Sequence, residues 1–352
     1  MNAKGFIVAA YRRRFLVGLL VVCSVVLPSC APVTLEDVAA HIASRQPPPP
    51  YSYPEQPVVS APADDGALKR VPGSAAALTM TQIRNLNLAP DWHPEDHPSM
   101  PSVVSQGRKP DTFACGYCHY PNGQGRPENA SLAGLSAGYI SQQMADFKSG
   151  RRKSSEPKMR AVALMVANAK AVTDEEIMIS ADYFSGITYK PWVRVVETEN
   201  VPKTSVSGFM LVPLAGGRME PIEQRVIEVA EDLARTSVRD SRSGFVAYVP
   251  VGSIKKGEKL VNGGGRVATA RCATCHGTGL RGQGDIPPLA GRSPSYTLRQ
   301  LYDFQSGARA GKASALMREA VSRMTMDDMV SIVAYTASLA PSDNTNSIDF
   351  RK

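Results

Sequence analysis

The sequence is poor in the residues on which several protein classes depend. Its 352 residues include only six cysteines and five histidines, and aromatic residues make up 7%. So few cysteines exclude a disulfide-rich miniprotein, and the lack of repeated long apolar runs excludes a polytopic membrane protein. The 28 glycines and 27 prolines follow no triplet period, so they predict irregular connections rather than collagen. The length suffices for two compact domains.

A strong excess of one charge is also missing. The formal net charge is +8, but four of the 40 basic residues lie within residues 4–14, a segment that we expect to be removed; this leaves 36 against 32 acidic residues, or +4. No basic stripe interleaved with aromatic residues is present, and we expect Arg151, Arg152 and Lys153 to lie in a solvated loop. A nucleic-acid partner is therefore not predicted.

The first 29 residues have the pattern of an export signal. Three arginines at 12–14 precede the apolar run 15–27, which is too short for a membrane-spanning helix. The end of the segment, Leu27-Pro28-Ser29-Cys30, resembles the lipobox of bacterial lipoproteins, although Pro28 departs from the usual pattern. We expect export to the bacterial periplasm and membrane anchoring through a lipidated Cys30, with ordinary signal cleavage as the alternative.

Residues 30–98 are rich in proline and predict a tether. Four successive prolines at 47–50 favour an extended polyproline II path. Such a segment would lift a working domain away from the membrane, or it would be a disordered arm. Both interpretations predict no packed core in this part of the chain.

An internal repeat appears when the chain is compared with itself at an offset of about 157 residues. The repeat pairs six residues of two short motifs: Cys115, Cys118 and His119 with Cys272, Cys275 and His276. The Leu-Ala-Gly sequences at 132–134 and 289–291 match at the same offset, as do the segments 139–150 and 296–307. Two homologous domains follow, with a few extra residues after Gly150 in the first.

Each copy has helical patterns, whereas the segment between the copies does not. Apolar residues spaced for one helix face occur at 139–147 and 296–304, and Thr173 and Thr325 each open a capping-box pattern. Between the copies, the Val-rich stretches 192–196 and 244–249 predict short strands. The predicted organisation is a signal at 1–29, a tether at 30–98, a domain at 99–189, an insert at 190–250, a second domain at 251–340 and a tail at 341–352. The insert is either a linker between domains or a docking surface.

Both short motifs read C-x-x-C-H, the attachment sequence of c-type haem. Two thiols one helical turn apart can each add to a haem vinyl group, and the following histidine can bind the iron. Zinc would need four ligands and a thioredoxin-like site would need a βαβ context, and neither pattern is present. With Cys23 and Cys30 in the export segment, every remaining cysteine belongs to a motif. We therefore predict two covalently bound haem c groups, held by Cys115, Cys118, His119, Cys272, Cys275 and His276.

A haem that carries electrons usually has a sixth ligand, and methionine sulfur raises its potential. Met317 stands eight residues before Thr325, and Met165 stands eight before Thr173. These equivalent positions make Met165 and Met317 the candidate iron ligands opposite His119 and His276. Met159 is the alternative in the first copy, because Met159-Arg160 echoes Met317-Arg318.

Together these motifs resemble the diheme class I cytochromes c and are similar to the cytochrome c-four group. The resemblance covers residues 100–188 and 252–340, and it implies a mainly α fold of two tandem domains, each wrapping one haem. It also places Gly257, Glu258 and Leu260 in an N-terminal helix of the second domain, whereas the first domain has only residues 100–107 at that place. The tether and the insert are absent from the simplest family members.

The resemblance implies a carrier that passes single electrons between a redox donor and an acceptor, such as a dehydrogenase, a quinol-oxidising complex or a terminal oxidase. One alternative is an electron-transfer subunit of a membrane dehydrogenase or oxidase complex. Another is a diheme enzyme such as a peroxidase, which would need a further ligating histidine. Only His41, His93 and His97 remain; we expect them to be exposed, with His97 as the candidate distal ligand of the first haem.

Overall fold

The computed structural model describes residues 63–157, 159–263 and 271–341. The predicted export signal, Cys30, the four-proline run and the C-terminal tail after residue 341 lie outside these ranges. Within them, no helix combines the length and the apolar character that a bilayer crossing requires.

The first copy contains short helices around one core. After α1 (Met80–Ile83) come α2 (Ser102–Ser105), α3 (Cys115–His119), α4 (Ala137–Lys148), α5 (Arg160–Ala171) and α6 (Asp174–Ser185). The predicted capping box at Thr173 is present, since its side chain accepts from the Glu176 amide while the Glu176 carboxylate accepts from the Thr173 amide. Only the single turn α2 occupies the place of an N-terminal helix, in line with the short sequence there.

The second copy repeats this order with a longer first helix. It consists of α8 (Ser253–Val261), α9 (Ala273–His276), α10 (Pro294–Ser306), α11 (Ala315–Val321) and α12 (Met326–Ser338). The predicted helix around Gly257 is confirmed as α8, and Thr325 with Asp328 forms a complete capping box at α12. A Cβ on Gly257 would lie 1.9 Å from the Ser331 carbonyl oxygen, so α8 and α12 can cross this closely only because glycine stands there.

The segment between the copies folds as a sheet. Its strands are β1 (Val193–Glu197), β2 (Asn200–Pro202), β3 (Thr204–Ser207), β4 (Met210–Pro213), β5 (Met219–Pro221), β6 (Ile227–Ala230) and β7 (Phe245–Val249), with helix α7 (Leu233–Ser237) before β7. Five strands pair in the order β1-β7-β6-β4-β3, and β2 pairs with β5. The two predicted strands are confirmed as β1 and β7, which pair in parallel. The other strands are too short to have been recognised from their sequence.

Each copy has its own apolar core. Phe184, Ala133 and Val104 are among the residues buried in the first, and Met329, Val333 and Leu298 are at the centre of the second. The helix faces predicted from the 3.6-residue period therefore point inward. Helices α4 and α10 are the matching elements of the two copies, and both border the cavity described below.

The expectation that residues 30–98 have no packed core is wrong for residues 63–98. Val71, Ile83 and Trp92 are each at most 5% exposed and form a cluster to which Val238 of the insert contributes. The Trp92 indole Nε1 donates to the Val238 carbonyl oxygen at 2.9 Å. Proline content misled the prediction, because a few apolar residues can seal an irregular segment against a domain that is distant in sequence.

Candidate cofactor site

A single large cavity connects the two C-x-x-C-H motifs. Its volume is about 1490 Å³, and its lining includes Cys115, Cys118, His119, Cys272, Cys275 and His276. Pockets for one small molecule usually occupy roughly 300–1,000 Å³. The structure thus brings all six predicted attachment residues to one cavity with room for more than one ligand of ordinary size.

The two histidines present the same nitrogen to this cavity. His119 Nδ1 lies 2.8 Å from the Ala130 carbonyl oxygen, and His276 Nδ1 lies 2.8 Å from the Pro287 carbonyl oxygen. A carbonyl only accepts, so each Nδ1 carries the proton and each Nε2 has a free lone pair. Burial lowers the pKa of both imidazoles, which keeps them in this neutral, metal-binding form. This is the arrangement by which proteins orient a metal-bound histidine.

Cys115 and Cys272 lack the lowered pKa that is typical of reactive or zinc-binding cysteines. Burial, followed by the neighbouring Cys118, raises the pKa of Cys115 to about 12, and burial also raises the pKa of Cys272. Reactive cysteines and thiolate ligands have lowered pKa values and stand in electropositive surroundings. These thiols suit covalent attachment to a cofactor better than redox exchange.

The candidate methionines differ in their position relative to the cavity. Met165 on α5 and Met317 on α11 both line it. Met159 precedes the first residue of α5, is 3% exposed and is not one of the lining residues. The structure therefore favours Met165 over Met159 as the candidate ligand of the first copy.

Two buried arginines join the copies across the cavity. Arg152 of the first copy donates to Tyr296 Oη and Gln300 Oε1 of the second, at 2.8 and 2.9 Å. Arg309 of the second donates to Tyr139 Oη and Gln143 Oε1 of the first, both at 2.7 Å. The pairs Arg152 with Arg309, Tyr139 with Tyr296 and Gln143 with Gln300 all have the repeat offset. The contact is therefore a cross-brace in which each copy plays the same part.

The cross-brace has positive charge and no ion pair to balance it. Arg152 is 7% exposed and Arg309 is 6% exposed, and the described residues place no carboxylate within ion-pair distance of either guanidinium. The Nε of Arg309 is buried without a partner. Burial, and then the Arg152 charge beside it, lower the pKa of Arg309. Buried charges normally have partners of opposite sign, so this part of the cavity is suited to an anionic group.

Arg292 and Arg299 bring further positive charge to the cavity. Arg292 donates to the carbonyl oxygens of Ser131 and Ala133 in the first copy, at 2.8 and 2.9 Å. Arg299 donates to the Pro127 carbonyl oxygen. Both residues belong to α10 or the turn before it and line the cavity. The second copy thus reaches into the first with two more guanidinium groups.

Two expectations about surface residues are wrong. Arg152, expected in a solvated loop, is buried in the cross-brace because Tyr296 and Gln300 of the other copy accept its hydrogen bonds. His93, expected to be exposed, is 1% exposed, and its Nε2 lies 3.0 Å from Asp240 Oδ1. Contacts with residues far away in sequence caused both differences.

His97, also expected to be exposed, has a side chain that is only 4% exposed. It does not reach the cavity as a distal ligand would. Its Nε2 lies 3.2 Å from Asp91 Oδ1, and its Nδ1 lies 2.8 Å from the Pro98 carbonyl oxygen and 3.0 Å from the Tyr183 hydroxyl. It is not one of the residues lining the cavity. Both ring nitrogens are therefore engaged elsewhere.

The chain is similar to known proteins over its second copy and over most of its length. The family model described as "Cytochrome c" matches residues 261–340. Cytochrome c-554(547) of Halothiobacillus neapolitanus is 36% identical over 78 residues, which are 20% of this chain and 86% of that protein. The chain belongs to the cytochrome c family.

Two longer relatives extend the match beyond one domain. Cytochrome c4 of Azotobacter vinelandii is 25% identical over 250 residues, covering 69% of this cytochrome and 91% of the relative. A thiosulfate dehydrogenase electron acceptor of Stutzerimonas stutzeri is 26% identical over 236 residues, covering 66% and 82% respectively. This cytochrome carries two covalently bound haem c groups and transfers electrons.

The residues of the cavity fit that cofactor. Covalent haem c needs two thiols, a neutral imidazole and, for its propionates, cationic donors. The cytochrome has a pair of thiols and a neutral imidazole in each copy, at matching positions of the repeat. The cross-brace supplies cations that have no ion-pair partner among the described residues. Sequence reasoning missed the cross-brace, although extending the offset of 157 residues beyond Gly150 and Gly307 would have paired Arg152 with Arg309.

Proposed function

We propose that Cys115, Cys118 and His119 hold one haem and that Cys272, Cys275 and His276 hold the other. The observation that carries this proposal is the pair of cavity-facing imidazoles, each oriented by a carbonyl oxygen at the same repeat position. Bound haem c supplies a reversible one-electron couple between ferric and ferrous iron. The chain's part is to hold each iron ligand still, so that oxidation and reduction need little rearrangement.

Met165 and Met317 are the proposed sixth ligands. Both line the cavity, and both precede a capped helix by the same distance in sequence. Thioether sulfur favours ferrous iron and raises the potential, which suits an electron carrier. Arg152 and Arg309 are the proposed partners of the propionates, because these carboxylates would neutralise the two buried guanidinium groups.

The proposed cellular role is electron transfer between two redox proteins outside the cytoplasm. The export pattern of residues 1–29 and the lipobox-like Cys30 support a periplasmic protein anchored to a membrane by lipid. The donor or acceptor would be a dehydrogenase, a quinol-oxidising complex or a terminal oxidase. A diheme peroxidase is less well supported, because His93 and His97 both have partners away from the cavity.

A second candidate role is that of a subunit in a dehydrogenase complex. A relative named as a thiosulfate dehydrogenase electron acceptor covers most of the chain, and this name favours a dehydrogenase partner. Purification of the protein from its own membranes distinguishes the roles. Stable co-purification of a flavin, quinone or copper subunit supports the complex, whereas a monodisperse cytochrome alone supports the free carrier.

The first experiment is haem quantification with near-infrared magnetic circular dichroism of the oxidised protein. We expect two covalent haems per chain, both low-spin with His/Met ligation. Met165→Ala and Met317→Ala should each remove the methionine signature of one haem and lower its potential by on the order of 0.1 V, within the roughly 0.8 V range that axial ligands span. Met159→Ala is the matched control and should change neither.

Three results would contradict this assignment. Fewer than two covalent haems per chain would disprove the attachment residues. A loss of methionine signature in Met159→Ala, with Met165→Ala unchanged, would transfer the ligand role to Met159. A high-spin haem in the unaltered protein would instead favour an enzyme with an open iron site.

A further inference from the structure

The loop after the C-x-x-C-H motif is buried in the first copy and exposed in the second. Arg126 and Glu128 are 4% and 6% exposed. Their counterparts at the repeat offset, Gln283 and Asp285, are both exposed. The two loops have the same local fold, since Arg126 bridges to Asn129 as Gln283 bridges to Ile286. A difference in what packs against them therefore causes the difference in burial.

The insert, residues 190–250, packs on the first loop, and Arg299 of the second copy also donates to the Pro127 carbonyl oxygen there. The Arg126 guanidinium contacts the Met210 sulfur on β4. The Gln124 amide donates to the Ser243 carbonyl oxygen at 3.2 Å, and the Trp192 indole Nε1 lies 3.2 Å from Ser131 Oγ. All three contacts are made by buried side chains of the first copy or the insert. The corresponding positions of the second copy make no such contacts with the insert among the described residues.

The insert also covers the first motif itself. The Arg239 guanidinium carbon lies 4.0 Å from the centre of the Tyr117 ring, and Arg239 donates to the Tyr117 carbonyl oxygen. Tyr117 is an inner residue of the first C-x-x-C-H motif, and its counterpart Thr274 is exposed. The second thiol of each motif differs in the same direction, since Cys118 is half-buried and Cys275 is exposed.

The hairpin of β3 and β4 forms part of the cavity wall. Residues 206–210 line the same cavity as Cys115 and His119, and Met210 is only 6% exposed. The Arg160 guanidinium lies 6.0 Å from the centre of the Phe209 ring, which ties the hairpin to the first residue of α5. Because α5 also carries Met165, the hairpin closes the side of the cavity that belongs to the first copy.

We propose that the insert is a cover over the edge of the first haem, so that electrons enter and leave this protein through the second haem. The proposal rests on the haem attachment proposed above. An electron from a reduced partner passes to ferric iron at the second motif and from there to ferric iron at the first, and oxidation reverses this path without any bond being made or broken. The partner that exchanges directly is a one-electron protein or reagent that approaches the exposed loop 278–286.

A matched pair of surface charges tests this path. Gln283→Glu places a negative charge at the second edge with almost no change of shape, and Ser205→Glu places one at an exposed position of β3 in the cover, outside the cavity lining. The reduced proteins are oxidised with ferricyanide, a trianion, at low ionic strength in a stopped-flow instrument. We expect Gln283→Glu to slow the oxidation of both haems by the same factor, roughly three- to tenfold. Ser205→Glu should slow neither.

The same two variants also reveal the result that would contradict the proposal. A decrease in the oxidation rate of one haem in Ser205→Glu, as large as that in Gln283→Glu, would show direct exchange at the first haem. Hexaammineruthenium, a cation, serves as a control for charge, because Gln283→Glu should then accelerate the reaction rather than slow it.

A second pair of variants opens the cover. Met210→Ala removes the side chain that fills the space between β4 and Arg126, whereas Met219→Ala removes an exposed side chain of the same insert that does not line the cavity. When each is combined with Ser205→Glu, ferricyanide oxidation should become sensitive to the added charge only in the Met210→Ala background. The cover is disproved if the oxidation rate stays insensitive to the added charge in both backgrounds although the first haem is accessible in Met210→Ala.

The number of covalent haems per chain distinguishes a failure of the proposed haem attachment from a failure of the proposed cover. Loss of a covalent haem from the unaltered protein would disprove the attachment residues, and the cover would fail with them. Two haems per chain, together with oxidation that is slowed in Ser205→Glu, would disprove the cover alone.

Discussion

Arg152 and Arg309 each affect two properties of the site: the contact between the two copies and the charge of the cavity. Each is buried, hydrogen-bonded only to neutral groups, and placed at the same point of its repeat. Arginine suits this role because its charge persists on burial and its planar group donates to several acceptors at once. With carboxylates in the cavity, the pair would balance charge and join the copies at the same time.

The potential of the haems should report on this pair. Arg152→Gln removes a positive charge that favours the reduced, less positive iron, so we expect midpoint potentials to fall by on the order of 50 mV. Arg152→Lys retains the charge, so its midpoint potentials should stay close to those of the unaltered protein. Arg151→Gln is the matched control, since Arg151 is the exposed neighbour. Spectroelectrochemical titration measures all three, and equal potentials in the Arg151 and Arg152 variants would exclude the arrangement.

Helices can be predicted from their own sequences more completely than strands can. The apolar spacing of α4 and α10 and the capping residues of α6 and α12 are local signals, because a helix satisfies its hydrogen bonds within itself. A strand needs a partner elsewhere in the chain. Thus β1 and β7 could be predicted as strands, but their parallel pairing and the short strands between them could not.

The crossing of α8 and α12 gives a prediction at this scale. Gly257→Ala puts a methyl group against the Ser331 carbonyl oxygen, so the two helices must separate. We expect a loss of about 1–3 kcal/mol in the free energy of unfolding and a thermal midpoint lower by several degrees. Lys259→Ala, at an exposed site on α8, should have little effect. Calorimetry of the haem-loaded proteins decides, and an unchanged midpoint in Gly257→Ala would contradict the close crossing.

The whole molecule is a repeat whose copies have different neighbours. The insert and residues 63–98 pack on each other: the Trp92 indole donates to the Val238 carbonyl oxygen, and Arg242 of the insert pairs with Asp96 at 2.6 Å. Buried His93 and Asp240 add a further contact between these segments. The N-terminal segment therefore stabilises the insert, which in turn lies over the first motif.

Truncation tests this dependence. A chain that begins at residue 63 behind a suitable export signal should retain its two haems and its thermal midpoint. A chain that begins at residue 99 loses the Trp92 cluster and the Asp96 pair, so we expect a midpoint lower by several degrees and easier loss of the first copy's structure. Thermal unfolding followed by haem absorbance and circular dichroism compares them. Equal midpoints would mean that residues 63–98 are a tether after all.

The sequence by itself determined the repeat, the two C-x-x-C-H motifs, the candidate methionines and the main helices. These features are carried by residues close together in the chain, and covalent chemistry or helical geometry fixes their spacing. Only the tertiary structure decided that Arg152 is buried, that residues 63–98 are packed and that the insert covers the first motif while it also packs on the core of the second copy. Those outcomes depend on contacts between residues separated by tens to more than a hundred positions, such as Arg152 with Tyr296 and Trp92 with Val238. Local propensity has no information about such contacts, because the burial of a side chain is set by the surface that meets it.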